Sequence, residues 1–492
     1  MKQDTQIPVT AVFDIGRTNK KFFLFDDQYQ VVQKQQTALD QTEDEDGEPC
    51  EDLTQLVQWV RRKAEDAFNN TRYKIRAMNF SGYGATLVHL DENGEPVTPL
   101  YNYLRDYPQE LLHKFYDTYG GRRQFSIETA SPPMGMLNSG LQLYWLKHRK
   151  PHLFSRIKHT LHLPQYISYL FNNKITTELT SIGCHTGLWN FNTNSYHSWL
   201  KDQGIQDLLP PPEPVKTTTG FSGQNKANLG IGIGIHDSSA ALAPYLEILD
   251  DPFLLISTGT WSISFNPFND NPLTYDQLQR DCLCYLNIYG EQVKASRLFL
   301  GQEYMHQKKK LESHFNREAT AAAPEVDRTM FEKLINDENP LIKLQLEEAH
   351  GSGPYPDSDM RIWDLKEFTS YSEAYHQLML DLVSIQGDSI ELIDSPRQIE
   401  NLIVTGGFSQ NEFFMKLLAT RFPDREVYSA ELGNASALGA AMVIRGTDSF
   451  KERNPKELLG LSRFEPMESS IIENYRWHEA SAYGREATNS NR

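Results

Sequence analysis

Cysteine is scarce in this sequence: Cys50, Cys184, Cys282 and Cys284 are the only four among 492 residues. They are too few and too scattered to frame a disulfide scaffold. Cys282 and Cys284 form a C-x-C, but no second Cys/His pair stands at zinc spacing, so both are expected to be strand residues. There is no run of about 18 apolar residues and no basic-then-apolar N-terminus, so neither a membrane span nor a signal peptide is expected. Positive charge is also short. Lys and Arg number 48 against 65 Asp and Glu, a net charge of −17 that would repel nucleic acid and anionic membranes. These absences point to the cytoplasm. Two nucleotide signatures are missing as well. No G-x-x-x-x-G-K-[ST] loop occurs, since GNASALG (433–439) is followed by Ala440, and no G-x-G-x-x-G dinucleotide fingerprint with a following acidic residue is present.

What is present is a globular composition, 39% hydrophobic and 23% charged, on a chain long enough for two large domains. Residues 8–40 predict three consecutive strands, VTAVFDIG, KKFFLFD and VVQKQQTAL. The acidic stretch Gln41 to Asp52 is expected to be a solvated loop. Apolar spacing of three and four predicts a helix over 53–69 with Asp52 as its N-cap. A strand (KIRAMNF) follows, then helical patterns over 108–118 and 137–172. Near residue 228 a glycine-interrupted strand leads into HDSSAALAPY, and FLLISTGTWSISFNP from Phe253 reads as a strand pair. NLIVTGGFSQ then predicts a strand running into a helix, EFFMKLLATRF. Beyond Gly446 the chain is polar, and its last dozen residues read as frayed. DIGRTNKKFFLF (14–25) and STGTWSISF (257–265) are both strand, Gly/Thr turn, strand, each near the start of one half. A duplicated hairpin of this kind suggests two similar α/β domains facing each other.

Several constellations carry chemistry. Asp14, Gly16, Thr18 and Lys21 make a D-x-G-x-T-x-x-K turn. Such a turn presents backbone N–H groups to phosphate oxygens, with Gly16 permitting close approach, Thr18 a hydroxyl donor and Lys21 a cation. Asp14 offers the hard oxygen that hydrated Mg²⁺ prefers. Ser257 to Thr260 form a matching hydroxyl-rich turn. VTGGFSQNEFF (404–414) lets backbone lie flat against an adenine or ribose, with Asn411 placed to hydrogen-bond. Asp237 in GIHDSSAA reads either as a helix N-cap or as a carboxylate that takes the proton of a sugar hydroxyl. His236 beside it reads as structural or as a group that orients the substrate hydroxyl.

The order D-x-G-x-T-x-x-K, G-x-x-D-x-x-A-A, S-x-G-T, G-G-x-x-x-N and A-x-A-L-G-A-A (435–441) resembles the FGGY carbohydrate kinases over residues 10 to 445. The resemblance implies an α/β fold of two actin-like (ribonuclease-H-like) domains facing each other across a catalytic cleft. The N-terminal FGGY domain (1–245) would carry the sugar and phosphate side and the C-terminal domain (246–450) the ATP side, with a helix or tail over 451–492. It implies ATP and Mg²⁺, with Asp14 near the metal and Gly16, Thr18, Lys21, Gly259 and Thr260 around the phosphates. Gly406, Gly407 and Asn411 would sit at the adenosine, and Asp237 would be the base.

Three details resemble the L-fuculokinase and L-rhamnulokinase branch: His236-Asp237, Trp261 after S-x-G-T, and the aromatic-glycine pair Tyr83-Gly84. Tyr83, Arg105 and Asp106 fall where related kinases contact sugar. The expected reaction is therefore transfer of the ATP γ-phosphoryl group to a small ketose, a 6-deoxyketohexose such as L-fuculose or L-rhamnulose. Thr86 stands where that branch has an acid, Arg17 replaces a small residue, and Phe408 replaces a glycine. The alternatives are a xylulose- or ribulose-type pentulose kinase, a catalytically silent sugar- or nucleotide-binding protein, and an actin-like ATPase, for which the C-x-C is the one hint. The partners are sugar and ATP, without nucleic acid or membrane, and a homodimer would suit the resemblance.

Overall fold

The computed structural model describes residues 6–223, 229–318, 323–336, 346–349, 351–356, 364–394, 399–446, 454–468 and 477. The last dozen residues, expected from sequence to be frayed, lie outside them. The chain divides into two compact units. One holds Met1–Leu249, Cys284–Gln292 and Asn434–Pro455, and the other Asp250–Leu283, Val293–Gly433 and Lys456–Arg492.

In the first unit, β1 (Ile7–Ile15) pairs antiparallel with β2 (Lys20–Phe25), and β2 with β3 (Val31–Thr37). On its other side β1 runs parallel to β6 (Tyr73–Gly82), which in turn is parallel to the Gly230–Gly232 strand. β1 is a nearly continuous apolar run because both faces of a central strand are covered; Val9, Ala11, Val12, Phe13 and Ile15 are all buried. The helix α1 (Leu53–Phe68) covers one face with Leu56, Trp59, Val60, Ala64 and Ala67 at helical spacing. It starts where expected, since Asp52 accepts the Gln55 N–H at 3.0 Å.

The second unit repeats the connectivity. The strand Phe253–Thr258 pairs antiparallel with Ser262–Asn266, and that strand with Gln292–Leu298. On its other side it runs parallel to Asn401–Gly406, which is parallel to Glu426–Ala430. Three antiparallel strands followed by two parallel ones, with the first strand central, is the ribonuclease-H-like order in both units. Cys282 and Cys284 are strand residues, wholly buried. The Leu461–Phe464 strand adds an antiparallel edge to the second sheet, so part of the expected tail is sheet.

Two differences from the sequence reading matter for the site. Residues 434–446 group with the first unit, whereas the sequence division places 434–450 in the second. The helix Ala435–Arg445 is rich in small residues in its first half, and Gly439 lies against the Ala240 carbonyl of the helix Asp237–Ile248, where a Cβ would collide. Nor is the acidic stretch a loop, although most of it is exposed. It folds as the hairpin β4 (Gln41–Glu43) and β5 (Pro49–Glu51), and several of its carboxylates pair with cations: Asp44 and Asp46 with Arg105, Glu45 and Asp46 with Lys150.

Candidate active site

The turn between β1 and β2 is closed by its own glycine, whose N–H donates to the Asn19 carbonyl at 3.0 Å. Asp14 is buried at the end of β1, 5% exposed. Its Oδ2 lies 3.4 Å from Lys21 Nζ, and its Oδ1 accepts from Ser436 Oγ at 3.0 Å. Thr18 is exposed at the tip. Arg17 turns aside: Nη1 donates to Asn102 Oδ1 at 3.0 Å, and the guanidinium lies 4.6 Å over the Tyr103 ring. An acidic oxygen beside a cation, with a bare turn next to it, fits a water-rich Mg²⁺ that relies on one or two carboxylates and on substrate phosphates.

Asp237 opens the helix Asp237–Ile248 and does not cap it; His236 is the N-cap residue, and no side-chain cap bond forms. The Asp237 side chain keeps 32% exposure. Burial of the carboxyl, then the charge of Asp14, push its pKa up to about 7, against the opposing pull of Ser238 and Lys21. A carboxylate that titrates near neutrality is suited to proton transfer at physiological pH. His236 is buried and its pKa is lowered to about 4 by desolvation, so the ring is neutral. It stacks on Tyr285 at 5.6 Å, and its Nε2 lies 3.3 Å from Asp237 Oδ1. Gly84 leaves the space for it, since a Cβ there would stand 2.9 Å from His236 Nε2.

The remaining sugar-side expectations fall in two places. Tyr83 and Thr86 share a small cavity of about 30 Å³ with Arg17, Glu51, Asn102 and Tyr103. Thr86, 2% exposed, donates to the Gly84 carbonyl at 3.2 Å. Arg105 is held by Asp44 (2.6 Å) and Asp46 (2.5 Å) and lies 4.8 Å over Trp145. Asp106 is exposed. Neither lines the cavity that contains Tyr83.

In the second unit the Ser257–Thr260 turn sits against the start of the helix Leu300–His314, where Gln302 N–H donates to the Thr260 carbonyl at 3.1 Å and a Cβ on Gly301 would collide with the Gly259 carbonyl. As in the first unit the turn glycine uses its own N–H to close the turn, here onto the Trp261 carbonyl at 2.8 Å. Gly406 has φ +83°, and a Cβ there would run into the Thr258 carbonyl. Buried Thr258 holds this crossing, accepting from Phe408 N–H at 3.0 Å and donating to the Thr405 carbonyl. Phe408 is a core residue stacked on Phe414 at 4.6 Å. Gly259, Thr260, Gly407 and Asn411 all line one cavity of about 950 Å³, and Gly406 is not among its lining residues. Asn411 caps the helix Glu412–Arg421 through Oδ1, which accepts from Phe414 N–H at 3.2 Å, so its amide offers the cavity N–H donors.

Sequence reasoning did not single out Lys20, Glu51, Ser436, Tyr285, Tyr304 or Tyr375. The last two line the second unit's cavity, their hydroxyls 3.1 Å apart, with Asn411 Nδ2 3.4 Å from Tyr375. Only Ser436 carried a signal, as a member of the A-x-A-L-G-A-A stretch; the others are common residue types made special by pairing.

Among the described residues no helix is long and apolar enough to cross a membrane. Known proteins give the arrangement a context. Residues 9–236 match the model of the FGGY family of carbohydrate kinases, N-terminal domain, and residues 250–453 that of carbohydrate kinase FGGY, C-terminal domain. A rhamnulokinase of Yersinia pestis (strain Pestoides F) is 22% identical over 391 residues, 76% of each chain. A rhamnulokinase of Halalkalibacterium halodurans is 26% identical over 199 residues, covering 38% of this chain and 41% of its own. The crystal structure of a carbohydrate kinase from Novosphingobium aromaticivorans superposes with a TM-score of 0.81 at 23% identity, covering 98% of this chain and 100% of that one. A ligand-bound xylulose kinase from Lactobacillus acidophilus gives 0.76 at 16% identity, with 99% of each chain covered. With both halves matched in order and the two-domain fold shared, the chain belongs to the FGGY family of carbohydrate kinases and is a sugar kinase.

Proposed function

We propose that this kinase transfers the γ-phosphoryl group of ATP to a hydroxyl of a 6-deoxyketohexose such as L-rhamnulose or L-fuculose, with Asp237 as the base. The observation that carries the assignment of the base is the partly exposed Asp237 carboxyl at the start of its helix, 3.3 Å from the buried His236 ring, with a pKa raised toward neutrality by burial and then by Asp14. The choice of sugar rests on the rhamnulokinases that this chain resembles and on His236-Asp237 and Tyr83-Gly84.

In the reaction the sugar hydroxyl oxygen bonds to the γ-phosphorus as the bond from that phosphorus to the ADP oxygen breaks. The hydroxyl proton passes to Asp237, and ADP leaves with the electron pair. Phosphoryl transfer needs little covalent help, so positioning and charge neutralisation dominate. Asp14 would hold Mg²⁺, which when bound would supply neutralising charge to the phosphates. Gly16, Thr18 and Lys21, with Gly259 and Thr260, bind the phosphates. Gly406, Gly407 and Asn411 hold the adenosine. Tyr83 and His236 hold the sugar, with neutral His236 orienting the Asp237 carboxylate. Arg105 serves this side by fixing the segment that ends in Asp106. The protein works in the cytoplasm.

The test is a coupled ADP-release assay over L-rhamnulose, L-fuculose, D-xylulose, L-ribulose, D-fructose and glycerol, run beside Asp237→Asn. Fast turnover with one 6-deoxyketohexose, lost in the variant, is expected. Preference for a pentulose or glycerol would overturn the choice of sugar, and equal activity of Asp237→Asn would overturn the choice of base.

A further inference from the structure

The phosphate turn of the first unit contains three cations, Arg17, Lys20 and Lys21, and one of them, Lys20, points beneath the turn, on the side of the small cavity that it lines with Glu51 and Tyr83. Lys20 is 2% exposed. Its ammonium donates to the Gly16 carbonyl at 3.1 Å and to the Arg17 carbonyl at 2.8 Å, and lies 2.5 Å from Glu51 Oε1. Glu51, at the end of β5, has 12% side-chain exposure, and its Oε2 accepts from the Tyr83 hydroxyl at 2.5 Å. Tyr83 lines the small cavity on the sugar side.

The consequence follows from peptide geometry. In a planar trans peptide the C=O and the N–H of the next residue point to opposite sides. Drawing the Gly16 and Arg17 carbonyls inward onto Lys20 therefore turns the N–H groups of Arg17 and Thr18 outward. Neither N–H has a backbone acceptor among the described residues. Two adjacent outward N–H groups make a concavity for an anion. A flipped peptide in the same turn would present a carbonyl dipole and repel the same anion.

We infer that Lys20 and Glu51 are positioning residues that set the peptide orientation of the phosphate turn, and that the Tyr83–Glu51 hydrogen bond ties this orientation to the sugar side. Lys20 holds the two carbonyls, Glu51 balances a charge that could not otherwise be buried, and Tyr83 fixes the Glu51 rotamer from the sugar cavity. The inference rests on the proposed phosphate role of the turn.

The experiment is calorimetric titration of the full-length protein with Mg²⁺·AMP-PNP, a non-hydrolysable ATP analogue, alongside thermal unfolding. Lys20→Met and Glu51→Gln are expected to raise Kd about tenfold, the scale of one misplaced or unpaired buried polar group. Tyr83→Phe raises it by a smaller factor, and Lys20→Arg recovers part of the loss. A merely structural ion pair would lower the Tm and leave Kd alone, so wild-type Kd in a folded Lys20→Met or Glu51→Gln protein overturns the inference. Should Lys20→Met not fold, Glu51→Gln keeps shape and acceptor oxygen and still decides it. A second titration adds the ketose that the wild type phosphorylates. Tyr83→Phe is expected to lose most of the tightening that ketose gives to AMP-PNP binding, and full retention would remove Tyr83 from the scheme. Sugar turnover by the wild type with unaltered Kd in the variants leaves the kinase assignment standing and defeats only this inference. Failure of the wild type to bind AMP-PNP defeats both.

Discussion

Ser436 Oγ donates a 3.0 Å hydrogen bond to Asp14 Oδ1 across a sequence separation of 422 residues. With Lys21 on the other oxygen, the bond fixes the rotation of the carboxylate that would face a metal. Hydrogen bonds to a charged group contribute about 1.5–3 kcal/mol. Ser436→Ala is therefore expected to raise KM for MgATP about tenfold with little change in KM for the sugar. Ser436→Thr, which keeps the hydroxyl, should recover most of it. An unchanged KM for MgATP in Ser436→Ala would detach this hydroxyl from the nucleotide side.

The raised pKa of Asp237 predicts the pH profile. The proton acceptor must be ionised, so kcat/KM should fall tenfold per pH unit below the folded-state pKa of about 7 and level off above it. The stability effect has the opposite sense. Folding raises this acid's pKa, so between the ordinary carboxyl range and about 7 the native state binds the extra proton, and stability falls as pH rises through that window. Asp237→Asn should accordingly have a higher Tm than wild type at pH 8, with the difference vanishing at pH 4, while kcat drops by roughly 10²–10⁴. Thermal scans at both pH values check the first, and steady-state kinetics the second.

Gly301 and Gly406 serve as space rather than as flexible joints. A methyl group at Gly301 would press on the Gly259 carbonyl, and one at Gly406 on the Thr258 carbonyl, where φ is also +83°. Gly301→Ala and Gly406→Ala should each raise KM for ATP and leave KM for the sugar unaltered. Gly406→Ala should lower the Tm more, because it adds left-handed backbone strain of about 1 kcal/mol. Kinetics with each substrate varied in turn, together with thermal unfolding, would check both.

Arg105 pairs with Asp44, whose side chain is 1% exposed, while its own guanidinium lies 4.8 Å over the ring of Trp145. Arg105→Met leaves that carboxylate buried without its cation, held only by the Asp46 and Glu48 N–H groups, which costs about 3 kcal/mol. A clear loss of Tm is expected, with a rise in sugar KM only to the extent that the 101–106 segment shifts. A large rise in sugar KM without a loss of Tm would show direct contact with the substrate instead.

Much of the fold was legible in the residues. Both strand–turn–strand hairpins announce themselves by β-branched and aromatic runs about a Gly/Thr turn, and Asp52 ahead of the three-and-four spacing marks the first helix. The acidic stretch was not legible. Like charges in sequence read as a solvated loop, and only the arrival of Arg105 and Lys20 from other segments makes burial of Asp44 and Glu51 possible. For the same reason Lys20 and Lys21 are indistinguishable as letters, although one is buried under the turn and the other remains partly exposed beside Asp14.

The sequence by itself determined the family, the duplicated α/β plan and the glycine and hydroxyl turns, because those depend on local backbone demands and on motif order. The tertiary structure decided that Ser436 meets Asp14, that burial and then the charge of Asp14 raise the pKa of Asp237, that Arg105 belongs to Asp44 and Asp46, and that Lys20 braces the turn above it. Each of these is a pairing of charges or hydrogen-bonding groups distant in sequence. Its energy depends on separation and on exclusion of water, and both are properties of the folded chain alone.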